Sequence, residues 1–115
     1  MTRSDHPLYG TLNLLILQTL QQDPLHGLEI LRSIEAAAGE DLRIEEGALY
    51  PALHRLERDG LLAAEWGFSE QRRRAKYYRL TSLGRKHLER EVRGWLRHAD
   101  AVARVLGAGR FGVKP

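Results

Sequence analysis

Arg72, Arg73 and Arg74, followed by Lys76, set four cations within five positions of the chain. Guanidinium groups at this density neutralise phosphates or enter a minor groove, and they supply affinity more than sequence choice. A second set lies upstream. On a helical wheel, at roughly 100° per residue, Leu49, Ala52, Leu53 and Leu56 fall within about a quarter turn. Gly47, Pro51, His54 and Arg58 lie opposite, flanked by Tyr50 and Arg55. Arg can fork onto guanine, Tyr or His can reach phosphate or base edges, and a glycine permits close approach, so this face suits a major groove. Glu46 and Glu57 argue against a grip of pure charge. Ordinary solvent exposure is the competing reading of the face.

The charge distribution points the same way. Net charge is +3, from 18 Lys and Arg against 15 Asp and Glu. Residues 54–79 hold seven basic and four acidic side chains, which leaves eleven of each for the rest of the chain. A basic patch on a balanced small domain is the footprint of a polyanion binder, or else a solvated loop.

Other chemistries are set aside. With no cysteine, thiolate zinc sites, iron–sulfur clusters, disulfides and Cys nucleophiles all drop out. The histidines His6, His26, His54, His87 and His98 form no metal-binding repeat. His87 and Glu91 are spaced for one helix face, but two ligands do not make a zinc site, and an ion pair is the plainer reading. No nucleophile elbow or P-loop occurs, and no enzyme or cofactor is expected. Apolar stretches at residues 14–17 and 60–64 are far shorter than the roughly 20 residues needed to cross a bilayer. Residues 1–7 carry no secretory core, so a cytoplasmic protein with no membrane partner is expected.

These side chains need a scaffold, and 115 residues at 43% hydrophobic suffice for one small domain. Leu12, Leu15, Ile16 and Leu20 carry helical spacing over residues 10–22, ended by Asp23-Pro24. A second stripe, Ile30, Leu31 and Ile34, runs over residues 26–38 and stops at Gly39. The third helix covers residues 46–59 and closes at Gly60, with a distortion near Gly47 expected from Pro51. Ala64, Trp66 and Phe68, then Tyr78 and Leu80, alternate as paired strands. Residues 69–75 between them should form a protruding, mobile loop carrying the arginines. The fold class is mainly α with a β-hairpin wing: a winged helix-turn-helix plus a C-terminal helix.

Thr81 or Ser82 can cap that last helix. In it Leu88, Val92, Trp95, Ala99, Val102 and Leu106 are spaced 4, 3, 4, 3, 4, a heptad seam for dimerisation. Folding back on the domain's own core is the alternative use of the seam. The implied division is a DNA-binding domain at residues 1–81, a dimerisation helix at 82–107 and a flexible tail at 108–115.

Residues 45–62, EEGALYPALHRLERDGLL, together with residues 73–81, RRAKYYRLT, Gly84, Gly10-Thr11-Leu12 and His26-Gly27, closely resemble the PadR family of bacterial transcriptional regulators. The likeness covers almost all of positions 9 to 106. It implies a winged-helix homodimer, usually a repressor on palindromic operator DNA, in the smaller subfamily with one terminal helix. It also implies that Tyr50 contacts DNA from the recognition helix, and that Arg73, Lys76 and Tyr77 contact it from the wing and its base. Glu45-Glu46 stands where many members have Ser or Thr, and an acidic residue there suits the helix dipole. Some members bind planar aromatic effectors near the C-terminal helices. Trp95 could stack on such a small aromatic effector, or could simply fill the seam.

The leading reading is therefore a dimeric regulator on double-stranded DNA. Against it stands a protein-interaction adaptor that turns the basic wing on an acidic partner. A third reading is a sensor whose small-molecule ligand controls release from DNA.

Overall fold

The computed structural model describes residues 7–107. Four α-helices and a three-stranded antiparallel sheet run in the order α1 (Pro7–Thr19), β1 (Leu25–His26), α2 (Gly27–Ala38), α3 (Glu46–Arg58), β2 (Leu62–Phe68), β3 (Arg74–Leu80) and α4 (Ser82–Leu106). This is the expected mainly helical winged fold. The anticipated tail at 108–115 lies outside the described residues.

The first helix ends three residues earlier than its apolar spacing suggests. Leu20 N–H bonds to both the Ile16 and Leu17 carbonyls at 3.2 Å, and the Thr19 hydroxyl donates back to the Leu15 carbonyl at 2.7 Å. The helix thus tightens and stops ahead of Pro24, whose ring disfavours helical geometry at Asp23. Residues 25 and 26, given no strand from sequence, add a short outer strand that pairs Leu25 with Tyr78 and His26 with Tyr77.

His26 also caps α2. Its Nδ1 accepts from Glu29 N–H at 3.4 Å, and the Glu29 carboxylate accepts from His26 N–H at 3.1 Å. This is a capping box with histidine in the place of serine. At the far end α2 stops at Gly39, whose φ of 70° suits glycine, and a short 3-10 turn, Gly39–Asp41, follows.

The third helix runs unbroken through Pro51. It closes with a full Schellman motif: Leu61 N–H bonds the Leu56 carbonyl at 2.9 Å and Gly60 N–H the Glu57 carbonyl at 3.0 Å, with Gly60 at φ 80°. That turn is also the landing point of α4. Thr81 caps α4 by accepting from Gly84 N–H at 2.9 Å, while its hydroxyl donates to the Gly60 carbonyl at 2.7 Å. Thr81, rather than Ser82, is therefore the cap.

Leu12, Ile16, Leu17, Ile30, Ile34, Leu49, Leu53, Leu56, Leu62 and Tyr78 form one core together with Leu88 of α4. The first three helices therefore do not fill this core by themselves, because α4 contributes Leu88 to it. Leu88 is 2% exposed and Val92 is packed against the same cluster, so the N-terminal part of the heptad seam serves the chain's own interior. Ala99 is half-buried, whereas Trp95, Val102 and Leu106 remain exposed, with Leu96 and Val105 beside them. Among the described residues no helix is long and apolar enough to cross a membrane.

Candidate nucleic-acid interface

The apolar face of α3 buries Leu49, Ala52, Leu53 and Leu56. Its opposite face therefore points outward, and Gly47, Tyr50, Pro51, His54, Arg55 and Arg58 are all exposed. Glu45 caps the helix by position, with extended backbone but no side-chain bond to the first turn. The first-turn amides of α3 accordingly receive no bond from a capping side chain, and Glu46 adds negative charge at the positive end of the helix dipole.

Tyr50 rests against the start of α2. A Cβ on Gly27 would lie 2.6 Å from Tyr50 Cε1 and 2.8 Å from its hydroxyl. Only a bare glycine leaves room for the ring. The His26-Gly27 pair thus caps one helix and seats the tyrosine of the next.

The wing stands beside this face. β2 and β3 pair from Leu62 with Leu80 out to Phe68 with Arg74. The connecting turn is residues 69–73, two shorter than expected, because Arg74 and Ala75 already belong to β3. It is an organised turn: Ser69 N–H bonds the Arg73 carbonyl and Arg72 N–H the Ser69 carbonyl, both at 2.8 Å. Arg72 occupies the left-handed region at φ 62°, an uncommon backbone for a non-glycine residue.

The four cations assigned to one patch separate in space. Arg72 and Arg73 are exposed at the turn. Arg74 lies over the Trp66 ring, its guanidinium carbon 4.6 Å from the centroid. Lys76 is only half exposed and donates to Glu57 of α3 at 3.0 Å. Its ammonium also sits 5.5 Å from the Tyr78 ring centroid. The hydrogen bond to Glu57 holds the Lys76 pKa above the ordinary lysine value, against the opposing pull of burial. Burial pushes the Tyr78 phenol up as well, with the Lys76 charge working against it. Lys76 is therefore a tie between wing and helix, with its charge already engaged.

Tyr77 is similarly committed. Its hydroxyl donates to the Phe68 carbonyl at 3.1 Å, and its ring meets His26 edge-on at 5.4 Å between centroids. The signals for these ties were weak in the sequence: a His-x-x-Glu spacing at His26, and Glu57 as one of four acidic residues on a mainly cationic segment. Between α3 and the wing lies a cleft of about 410 Å3, lined by Tyr50, His54, Trp66, Arg74, Lys76 and Tyr78 together with the start of α2.

The remaining candidates are elsewhere. His87 Nε2 and Glu91 lie 3.9 Å apart on α4. Among the described residues no group of three or more His, Asp or Glu could hold a metal. Trp95 stacks obliquely near His98, with centroids 5.9 Å apart.

Comparison with known proteins places this geometry. Residues 16–90 match the model of the transcriptional regulator PadR-like family. The chain is 36% identical over 78 residues to transcriptional regulator Rv3488 of Mycobacterium tuberculosis, covering 68% of this chain and 69% of that one. It superposes on a PadR family transcriptional regulator from Eggerthella lenta with a TM-score of 0.74 at 35% identity, over 90% of this chain and 88% of the other. A transcriptional regulator from Clostridium thermocellum aligns with a TM-score of 0.77 at 29% identity, over 90% of this chain and 97% of the other. A matched segment that takes in α2, α3 and the whole wing, with relatives that share the fold end to end, leaves one assignment: the chain belongs to the PadR-like family of transcriptional regulators, which are not enzymes and bind DNA as a class.

Proposed function

We propose that this regulator binds operator DNA as a homodimer in the cytoplasm and represses transcription, with α3 in the major groove and the wing along the adjacent backbone. The observation that carries the reading is the outward face of α3 standing beside an arginine-tipped hairpin, the two joined by the Glu57–Lys76 bond. Tyr50, His54, Arg55 and Arg58 supply base and phosphate contacts, Gly47 and Pro51 give close approach, and Arg72 and Arg73 neutralise phosphates. Residues 1–81 carry this contact and residues 82–107 the dimer helix.

The exposed end of α4, Trp95, Val102 and Leu106, supports pairing of two copies. Such a dimer would present two reading helices to successive major grooves about 34 Å apart on a palindrome. Trp95 at that seam is where a planar effector would stack.

Selection from a pool of random duplexes with the purified protein, followed by gel-shift titration of the winner, tests the reading. A palindromic site bound at nanomolar concentration with steep salt dependence is expected. Equal weak binding to every duplex would refute sequence-specific recognition, and no binding with capture of one acidic protein would overturn the reading in favour of the adaptor.

A further inference from the structure

Leu62, Ala64, Trp66 and Phe68 alternate along β2 and share one face of the hairpin with their partners Leu80, Tyr78, Lys76 and Arg74. That face turns toward α3, as the Lys76–Glu57 bond requires. Burial along it falls steadily. Leu62 is in the core and Ala64 packs against it, whereas Trp66 is 58% exposed and Phe68 71% exposed.

The apolar pattern thus outruns the core by two aromatic residues. Beyond the edge of the interior a wing strand has no need of them, and a covered aromatic side chain buries roughly 150–250 Å². Trp66 has a partner in the Arg74 guanidinium, which lies on its ring. Phe68 sits on the last rung before the turn, opposite Arg74 and next to the loop that carries Arg72 and Arg73.

The surroundings decide what covers this face. Residues 69–74 hold Arg72, Arg73 and Arg74 against Glu70 alone, with Lys76 already neutralised by Glu57. Two such wings would repel each other, which disfavours a second copy, and the same charges attract a polyanion. Trp66 and Arg74 also line the cleft shared with Tyr50 and His54 of α3, so the aromatic face is continuous with the candidate interface.

We infer that Phe68 is a wedge: with the wing seated on duplex DNA, its ring enters the minor groove and partly unstacks one base step while Arg72 and Arg73 hold the flanking phosphates. Trp66, clamped by Arg74, buttresses the wedge from behind. Apolar side chains inserted in this way kink the duplex by roughly 20–90° toward the major groove. The kink would fall at a flexible pyrimidine–purine step, adding sequence preference where no hydrogen bond reads the base.

The inference rests on the DNA-binding reading above, and its test separates the two. The duplex selected by the wild-type protein is labelled with a donor and acceptor at its ends, and in a second version carries 2-aminopurine at the step under the wing. Wild-type protein is expected to shorten the end-to-end distance and brighten the 2-aminopurine. Phe68→Ala should bind about tenfold more weakly, the scale of one lost aromatic–base contact, with the bend and the brightening gone and the salt dependence kept. A shifted but straight wild-type complex, or an equal bend with Phe68→Ala, overturns the wedge and leaves the DNA-binding reading standing. No shifted complex with any duplex overturns both. A change of oligomeric state in Phe68→Ala assigns the face to a second copy and also overturns the wedge. Because Phe68 is exposed, an unchanged circular dichroism spectrum and melting temperature are expected for the variant.

Discussion

Lys76 Nζ lies 3.0 Å from Glu57 Oε1, so one charged hydrogen bond spans 19 positions of sequence and joins the wing to the reading helix. Being partly exposed, the pair contributes no more than about 1 kcal/mol to stability. Its larger effect is geometric, because it sets the angle at which the wing meets whatever α3 reads. Glu57→Gln should melt within a few degrees of wild type yet lose about tenfold in operator affinity, measured by fluorescence anisotropy. An unchanged affinity would show that the bond does not orient the wing.

The same pair predicts a response to alkali. The folded-state pKa of Lys76 is raised above its ordinary 10.5, and that of Tyr78 above its ordinary 10.0. A group whose pKa is raised by folding contributes fully below its unfolded value, and that contribution is lost as pH climbs through the folded value. Both groups act in the same direction, so the melting temperature should fall above about pH 10. Glu57→Gln should flatten part of that fall. Equal slopes for the two proteins would remove Lys76 from the account.

Gly27 and Tyr50 form a second tie, steric rather than electrostatic. In Gly27→Ala the new methyl would lie 2.6 Å from the ring. The half-exposed tyrosine can swing away, so the cost in stability should stay near 1 kcal/mol, the low end for overpacking. Binding should nevertheless approach that of Tyr50→Ala. Full retention of affinity in Gly27→Ala, measured by gel shift, would deny Tyr50 a role that depends on its position.

Gly84 is less forgiving. A Cβ there would sit 2.1 Å from the Leu61 carbonyl oxygen, a backbone atom within the turn that Thr81 also holds. Gly84→Ala should therefore cost roughly 3 kcal/mol, at the upper end of overpacking, because no side chain can move aside. Denaturant unfolding that differed from wild type by under about 1 kcal/mol would contradict this close approach.

Residues on one seam of α4 should respond differently. Leu88→Ala should lose roughly 2–5 kcal/mol at any protein concentration, since Leu88 lies in the core of one chain. Val102→Glu should leave the fold intact and yield monomers in analytical ultracentrifugation. A dimer that survived Val102→Glu would place the subunit contact elsewhere.

Much of the fold follows from local patterns. The apolar spacing of the helices, Gly39 and Gly60 at their ends and the alternation in the wing each report on neighbours a few residues apart, and such relations are visible in the chain itself. For the same reason the outward face of α3 could be read directly: four buried positions on a helix define the exposed ones. The short strand at Leu25 carries too few residues to show a period, and it exists because β3 offers it a free edge.

The tertiary structure decided how residues of one kind divide their work. Arg73 is exposed, Arg74 rests on an aromatic ring and Lys76 is bonded to Glu57, although the three stand within four positions. Along α4, Leu88 is enclosed while Leu106 is 73% exposed, although both obey one heptad. Alternation and heptad spacing state which side chains share a face, whereas the element set against that face depends on register and on where the core ends. A slip of one residue in β3 against β2 would turn Lys76 away from Glu57 while Phe68 kept its face, and that choice is made by long-range packing.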